Sequence, residues 1–367
     1  MGSDVSIQVD EFAHRFFKWS KPATDGLAPG SKGKWMTRRY DVLGIGNAIV
    51  DVIARTDEEF LLSHNLRKGG MTLIDEVRAE ALYAAMGPAT IISGGSASNT
   101  VAGLASLGAS AAFIGKVKGD ELGGLFSHDI RALGIDFETT PAADGPATAR
   151  CFILVTPDGE RTMNTYLGAS QDLAPADIDE ETVTAAAIVY LEGYLWDPPA
   201  AKEAFVKAGR LAHGAGRKVA LTLSDSFCVD RYREEFRGLM RTGAVDILFA
   251  NESELTSLYQ TADFETALAY LREENLLGVV TRSEKGVVVV TREETIAVPA
   301  VPIETLVDTT GAGDQFAAGF LFGLARNFDL RTCAHHGALA ASEVIQHVGA
   351  RPEQELKQRA LDNGLPV

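Results

Sequence analysis

From residue 40 onward, short apolar runs rich in β-branched residues alternate with stretches whose apolar positions recur at helical spacing. Asp41–Val52 is apolar with small residues and reads as one buried strand. Asp75–Met86 has helical spacing and ends at Gly87-Pro88. Ala89–Ser93 reads as a strand, Ala97–Leu107 as a helix stopped by Gly108, Ala111–Val117 as a strand and Leu122–Leu133 as a helix. Ala187–Leu191, Val219–Leu223, Ile247–Ala250 and Gly278–Thr281 are further strand runs, separated by helical stretches such as Pro199–His213 and Arg231–Met240. Such alternation predicts βαβ units and a mostly parallel sheet. From Ala312 the pattern is almost wholly helical, a block suited to one face of that sheet.

Two segments, about 51–74 and 146–168, carry strand-like runs without intervening helices. In the second, Ala149–Thr156 and Arg161–Leu167 flank the turn signal Pro157-Asp158-Gly159, a β-hairpin pattern. These excursions predict a small β-sheet lid over one edge of the core. The expected layout is an N-terminal extension over 1–39, one α/β domain over 40–350 and a C-terminal tail over 351–367.

The chain has 367 residues and a formal net charge of −16. An acidic surface argues against nucleic-acid or anionic-membrane binding, both of which need a basic face. There is no run of apolar residues long enough to span a bilayer. Cys151, Cys228 and Cys333 are far apart and odd in number, which fits a reducing compartment, and a cytoplasmic location is expected. Residues 1–39 hold 7 basic and 4 acidic side chains and no extended periodicity. They read as a loosely attached extension. Its Met-Gly-Ser-Asp-Val-Ser start matches a short lipidation pattern that chance often meets, and Met36 is an alternative start.

Several glycine motifs fail on inspection. Gly44-Ile45-Gly46 lacks the third glycine of a dinucleotide fingerprint, because position 49 is Ile. No GxxxxGK[ST], HExxH or CxxC occurs, and Ser96 lies in GGSAS, not GxSxG. What remains is Asp308-Thr309-Thr310-Gly311-Ala312-Gly313-Asp314, directly before a helix over Gln315–Ala325. Small residues ahead of a helix leave backbone N–H groups bare, and the helix dipole adds positive potential there. A carboxylate beside an anion hole repels phosphate. It suits a base that takes a proton from a hydroxyl while the N–H groups hold a transferring phosphoryl group.

DTTGAGD resembles the C-terminal signature of the ribokinase-like (PfkB-type) carbohydrate and nucleoside kinases. The segment GGSASNTVAGLASLGASAAFIGKVKGDELG, from Gly94 to Gly123, resembles the N-terminal signature, and Asn251-Glu252-Ser253-Glu254 the family's Asn-x-x-Glu. Order and spacing match over about residues 40–350. Within the family, the Asn47/Asp51 pair and GGSASN are most like the adenosine kinase branch. The resemblance implies a three-layer α/β sandwich with a mostly parallel central sheet and a small β-sheet lid.

It also implies roles. Asp314 would abstract the proton of a 5′-hydroxyl, with Gly311, Ala312 and Gly313 as anion hole and Arg161, from the lid, reaching the phosphates. Asn47, Asp51, Gly94, Gly95, Ser96 and Asn99 would line the sugar. Met163 and Tyr194, with Met71, Leu73, Leu195 and Trp196, would supply an apolar base slot. Asn251 and Glu254 would hold Mg2+ through water, and Thr281, Asp308, Thr309, Gly311 and Gly313 the nucleotide, with Arg282 and Ser283 beside them. ATP and Mg2+ are the implied cofactors, and some relatives suggest a potassium or sodium ion near Asp308. The expected reaction is ATP-dependent phosphorylation of adenosine. The alternatives are a sugar kinase of the same family and a non-catalytic nucleoside sensor; a free sugar acid gains ground if Arg150 points inward. Taken alone, Asn251 and Glu254 also fit a helix capping box. His335-His336 reads as helix surface. A monomer or a homodimer paired through the lid is expected, with only small molecules as ligands.

Overall fold

The computed structural model describes residues 39–367. The predictions made for the extension and the alternative start lie outside the described residues, apart from Arg39. Thirteen strands are described: β1 Tyr40–Ile45, β2 Ile49–Arg55, β3 Met71–Leu73, β4 Ala89–Gly94, β5 Ala111–Ile114, β6 Ala149–Val155, β7 Arg161–Tyr166, β8 Ala186–Glu192, β9 Lys218–Thr222, β10 Ile247–Asn251, β11 Leu277–Thr281, β12 Val287–Val290 and β13 Thr295–Val298. They form an eight-stranded sheet in the order β13-β12-β11-β10-β9-β8-β1-β5 and a five-stranded sheet in the order β3-β7-β6-β2-β4.

The strands from β11 to β5 pair in parallel, and the β12–β13 hairpin is added antiparallel at one edge. Side chains alternate between two helical layers. On β8, Val189 and Leu191 join the cluster under the helices Pro199–Gly214 and Ser226–Arg241, while Ile188 and Tyr190 face the cluster under Ser96–Ser106 and Ala312–Ala325. This is the three-layer sandwich, with strands buried on both sides as continuous apolar runs require.

The lid differs from expectation in three respects. Asp41–Val52 is two strands in two sheets, broken at Gly46–Ala48. Gly46 has no room for a Cβ, because the Glu192 side chain packs against its backbone. Beyond this break the chain leaves the core for the lid. Ala89–Ser93 belongs to the lid as β4, antiparallel to β2. Residues 51–74 also hold a short helix, Glu58–Ser63, capped by Asp57. With Glu76–Ala85 it covers the outer face of the lid, where Leu61, Ala79 and Leu82 pack on Val52, Phe152 and Leu154.

The C-terminal stretch is not a tail. Helix Leu356–Asp362 buries Leu356 and Ala360, and the segment before it enters the cleft. His336 is likewise buried, against Phe322 and Phe328, and not at the surface. Among the described residues, no helix is long and apolar enough to cross a membrane.

Candidate active site between core and lid

Most of the described helices begin with an Asp or Asn whose side chain accepts a first-turn N–H; Asp75, Asp120, Asp225 and Asp329 are examples. The helices Ser96–Ser106 and Ala312–Ala325 do not. Each starts at a glycine in a positive-φ conformation, Gly95 (φ 95°) and Gly311 (φ 77°), with no side-chain cap. Both conformations are ones that side chains rarely adopt. A Cβ on Gly95 would strike the Asn47 carbonyl, and one on Gly311 would come within 2.7 Å of Ala350. Over Gly313 the space is open. The first helical hydrogen bond runs from Gln315 N–H to Gly311 C=O, leaving the Gly313 and Asp314 N–H groups without an intrahelical partner.

The two helix starts converge on Asp314. Ser96 Oγ donates to its Oδ1 at 2.6 Å and Asn99 Nδ2 to its Oδ2 at 3.3 Å. Burial pushes this carboxyl up to about 6, and the two hydrogen bonds pull against that rise. Even so, the carboxylate is the majority form at neutral pH.

Above this floor lies the inner face of the lid, fixed by strand register. Asp51 pairs with Ile92 and Cys151, Cys151 with Thr165, and Met163 with Ile153 and Met71. Directly paired residues share a face, and the Thr165 Oγ1 to Cys151 Sγ bond at 3.2 Å marks that face. Asp51, Arg161, Met163, Met71 and Leu73 therefore line one surface. Met71 and Leu73 are exposed there. Arg150 points the other way. It pairs with Glu80 and stacks on Phe152 and Tyr166, away from the cleft.

Asp51 is pushed up to about 7 by burial, opposed by Arg351 and Arg161 and reinforced by Asp314. Gly94 lies so close that any side chain there would collide with the Asp51 carboxyl. Arg161 lies 2.7 Å from Asp308 Oδ2, a buried ion pair that joins lid to floor. Its Nη groups nevertheless lack an aligned acceptor, so the fork keeps donors to offer. Asp308 also accepts from Thr310 N–H at 3.0 Å and Gly349 N–H at 3.1 Å. An alkali cation beside it would compete with these contacts.

On the side wall, Tyr194 is partly exposed near Asp225, Glu254, Asp314 and Glu192, and burial drives its phenol well up. Leu195 and Trp196 are not in this wall. They are buried in the core, Trp196 against Phe205 and Phe236. Asn251 and Glu254 form the capping box. Asn251 Oδ1 accepts Glu254 N–H at 2.8 Å, and Glu254 accepts both Asn251 N–H at 3.0 Å and Asn251 Nδ2 at 2.6 Å. Thr281 pairs with Asn251 across β11 and β10, while Arg282 is held by Glu252 at 3.0 Å over the Phe264 ring. Thr309 is exposed at the rim.

The family model described as pfkB family carbohydrate kinase matches residues 80–356. The chain belongs to this family. It is therefore a phosphotransferase acting on a hydroxyl group. A probable sugar kinase from Rhizobium etli CFN 42 is 52% identical in sequence, with TM-score 0.85, 90% of this chain and 100% of that one covered. The adenosine kinase from Sinorhizobium meliloti is 54% identical, with TM-score 0.84 and coverage of 89% and 99%. The adenosine kinase of Saccharomyces cerevisiae is 27% identical over 327 residues, 83% of this chain and 94% of that protein.

For a pfkB-family kinase, two buried groups of this cleft escaped the sequence reading. Glu192, at the end of β8, accepts Asn47 Nδ2 at 2.6 Å and Ala97 N–H at 2.9 Å, and burial pushes it up to about 7. A charged residue ending an apolar parallel strand, where ligands gather in α/β sheets, was its signal. Arg351 had no comparable signal. It reaches Ser93, Ser98 and Asn99, far away in sequence, only because the C-terminal segment folds back.

Proposed function

We propose that this kinase transfers the γ-phosphoryl group of ATP to the 5′-hydroxyl of adenosine, giving AMP and ADP. The observation that carries the reading is the placement of Asp314. A carboxylate raised by burial but still mostly ionised at neutral pH is held by Ser96 and Asn99 beside the unpartnered N–H groups of a glycine-capped helix, under a lid whose inner face is largely apolar.

In this reading the acceptor hydroxyl sits against Asp314, which takes its proton as the bond to phosphorus forms. The Gly313 and Asp314 N–H groups and the open space over Gly313 receive the phosphoryl oxygens. Arg161 brings positive charge to the transferring group from above. Asp51 accepts from the ribose 2′- and 3′-hydroxyls, with Gly94 and Gly95 allowing close approach of the backbone. Asn47, whose buried Oδ1 has no hydrogen-bond partner, offers an acceptor to the sugar. Met163, Met71, Leu73 and Tyr194 flank the base.

Mg2+ fits the Asn251–Glu254 corner through water. Both Glu254 oxygens are already hydrogen-bonded, and the buried carboxylate, raised to about 7, lacks a cation partner. Bound there with ATP, the ion would neutralise triphosphate charge. Asn251 and Glu254 keep the helix start rigid, and Thr281 and Thr309 stand at the nucleotide's edge.

The outward turn of Arg150 withdraws the extra cation that would favour a sugar-acid substrate and leaves Arg161 and Arg351 as the arginines of the cleft. An ADP-release assay with ATP and Mg2+ on adenosine, inosine, ribose, fructose and 2-keto-3-deoxygluconate tests the reading. Turnover of adenosine at micromolar concentration with sugars near background is expected. Turnover of a free sugar alone would refute the nucleoside assignment and keep the base and anion hole. Binding of adenosine without turnover of any acceptor would point to the sensor.

A further inference from the structure

Arg351 lies in the segment between helices Leu330–Val344 and Leu356–Asp362, and that segment is fixed at several points. Glu343, buried at the end of the first helix, accepts the N–H groups of Glu353 at 3.1 Å and Gln354 at 3.0 Å. Asp308 accepts Gly349 N–H at 3.1 Å, and Gln315 Nε2 donates to the Ala350 carbonyl at 2.9 Å. The guanidinium so delivered donates to three neutral oxygens, one on lid strand β4 and two on the helix Ser96–Ser106. Nη1 reaches Ser93 Oγ at 2.6 Å, Nη2 reaches Ser98 Oγ at 2.9 Å, and Nε reaches Asn99 Oδ1 at 3.3 Å.

The chemistry of the donors fixes the amide. Arginine has only N–H groups to offer, so it must face the Asn99 oxygen, and the Asn99 nitrogen is then left for the Asp314 carboxylate. Without Arg351 the amide could turn over and present an oxygen to a carboxylate. Ser93 belongs to lid strand β4 and Ser98 to a core helix, so the same fork spans the junction of the two layers.

We propose that Arg351 is a positioning residue for phosphoryl transfer: it sets the Asn99 amide toward Asp314 and ties the root of the lid to the floor. The proposal rests on the reading of Asp314 as the base. Its charge acts as well. Asp51 faces Arg351, Arg161, Asp314 and Cys151, and Arg351 also faces Asp129. Removing the cation makes Asp51 easier to protonate.

The test compares full-length wild type, Arg351→Met and Arg351→Lys, using whichever acceptor the wild type turns over best. The readouts are kcat, the pH profile of kcat/KM and the melting midpoint. R351M should lose roughly 10- to 100-fold in kcat, the cost of a slightly misplaced reacting group. Its acid limb should move to higher pH. R351K should restore the limb and only part of kcat, since an ammonium does not span three oxygens in a plane. An R351M protein within twofold of wild-type kcat overturns the proposal. So does an unmoved limb with activity lost only in step with folded protein. Should R351M not fold, R351K decides: kcat below half of wild type supports the proposal, and wild-type kcat overturns it. If adenosine is not the acceptor, the substrate reading falls while this comparison runs unchanged on the sugar that is.

Discussion

Asp314 on the floor of the cleft and Asp51 under its lid are both carboxylates raised by burial, to about 6 and about 7, yet they are held differently. Asp314 rests on neutral donors, Ser96 and Asn99, from the start of a neighbouring helix. Asp51 depends on charges that come from elsewhere in the fold, Arg351 from the C-terminal segment and Arg161 from the next lid strand but one. The floor is thus assembled by helix starts packed within the core, while the lid side is tuned by electrostatics across a cleft. Neither arrangement lies open to salt, because Arg161 is buried, Asp51 and Arg351 are largely enclosed, and buried charges are screened far less than exposed ones. With Asp314 as the proposed base, a preorganised carboxylate under an electrostatically adjusted lid is a sensible division for a site that must admit substrate and then exclude water.

The comparison breaks hardest at the floor. Asp314→Asn should lower kcat by about 10²–10⁴-fold, the usual worth of a general base. Stability should move the other way. A carboxylate whose folded-state value is raised binds more protons folded than unfolded, so its contribution to stability falls as pH rises through the window from the ordinary carboxylate range up to about 6. Asn removes that buried charge. Differential scanning calorimetry at pH 7.5 should therefore find the ligand-free D314N protein melting no lower than wild type. A large drop in the midpoint would make Asp314 a structural cap.

At the bridge between the two sides, Arg161→Met should reduce kcat by roughly 10²-fold through lost stabilisation of phosphoryl charge. It should also lower the melting midpoint, because Asp308 is left buried with only its two backbone donors. On the lid itself, Asp51→Asn should act mainly on the acceptor. Loss of charge-assisted hydrogen bonds to two hydroxyls costs about 1.5–3 kcal/mol, roughly a 10- to 100-fold rise in KM. A raised KM with unchanged kcat would fit; a fall in kcat alone would move Asp51 into the chemistry.

How much of this cleft could be read from sequence follows the same division. The floor was legible because its parts are local: seven consecutive residues, Asp308 to Asp314, hold the proposed anion hole and base, and Gly94–Asn99 holds the partner helix start. The parallel core was legible from its continuous apolar strands. The lid was legible in outline through the Ala149–Leu167 hairpin. Its β2 and β4 were not, because an apolar run such as Asp41–Val52 does not show where a chain changes sheets; the break depends on Glu192 filling the space beside Gly46. Leu195 and Trp196 were misread for a similar reason, since core and pocket wall share one composition. Arg351 depends on contacts with Ser93 and Ser98 that no local pattern encodes.

Met163 gives the smallest and most discriminating effect. It stands between Ile153 and Met71 on the inner face of the lid and is partly buried. A purine seated under the lid would cover its thioether chain, whereas a free pentose or hexose lying on Asp51 and Asp314 would not reach it. Burying most of such a side chain is worth about 1.5 kcal/mol, so Met163→Ser should raise the KM for adenosine roughly tenfold. Turnover at saturation should be near wild type, because the residue touches neither the hydroxyl nor the phosphoryl path. Steady-state kinetics on adenosine, and on any sugar the wild type accepts, separate the cases. A rise confined to adenosine identifies the apolar face of the lid as the base slot. Equal KM values for wild type and M163S on adenosine would show that the base is held by the Tyr194 wall instead, and the lid would then serve closure alone.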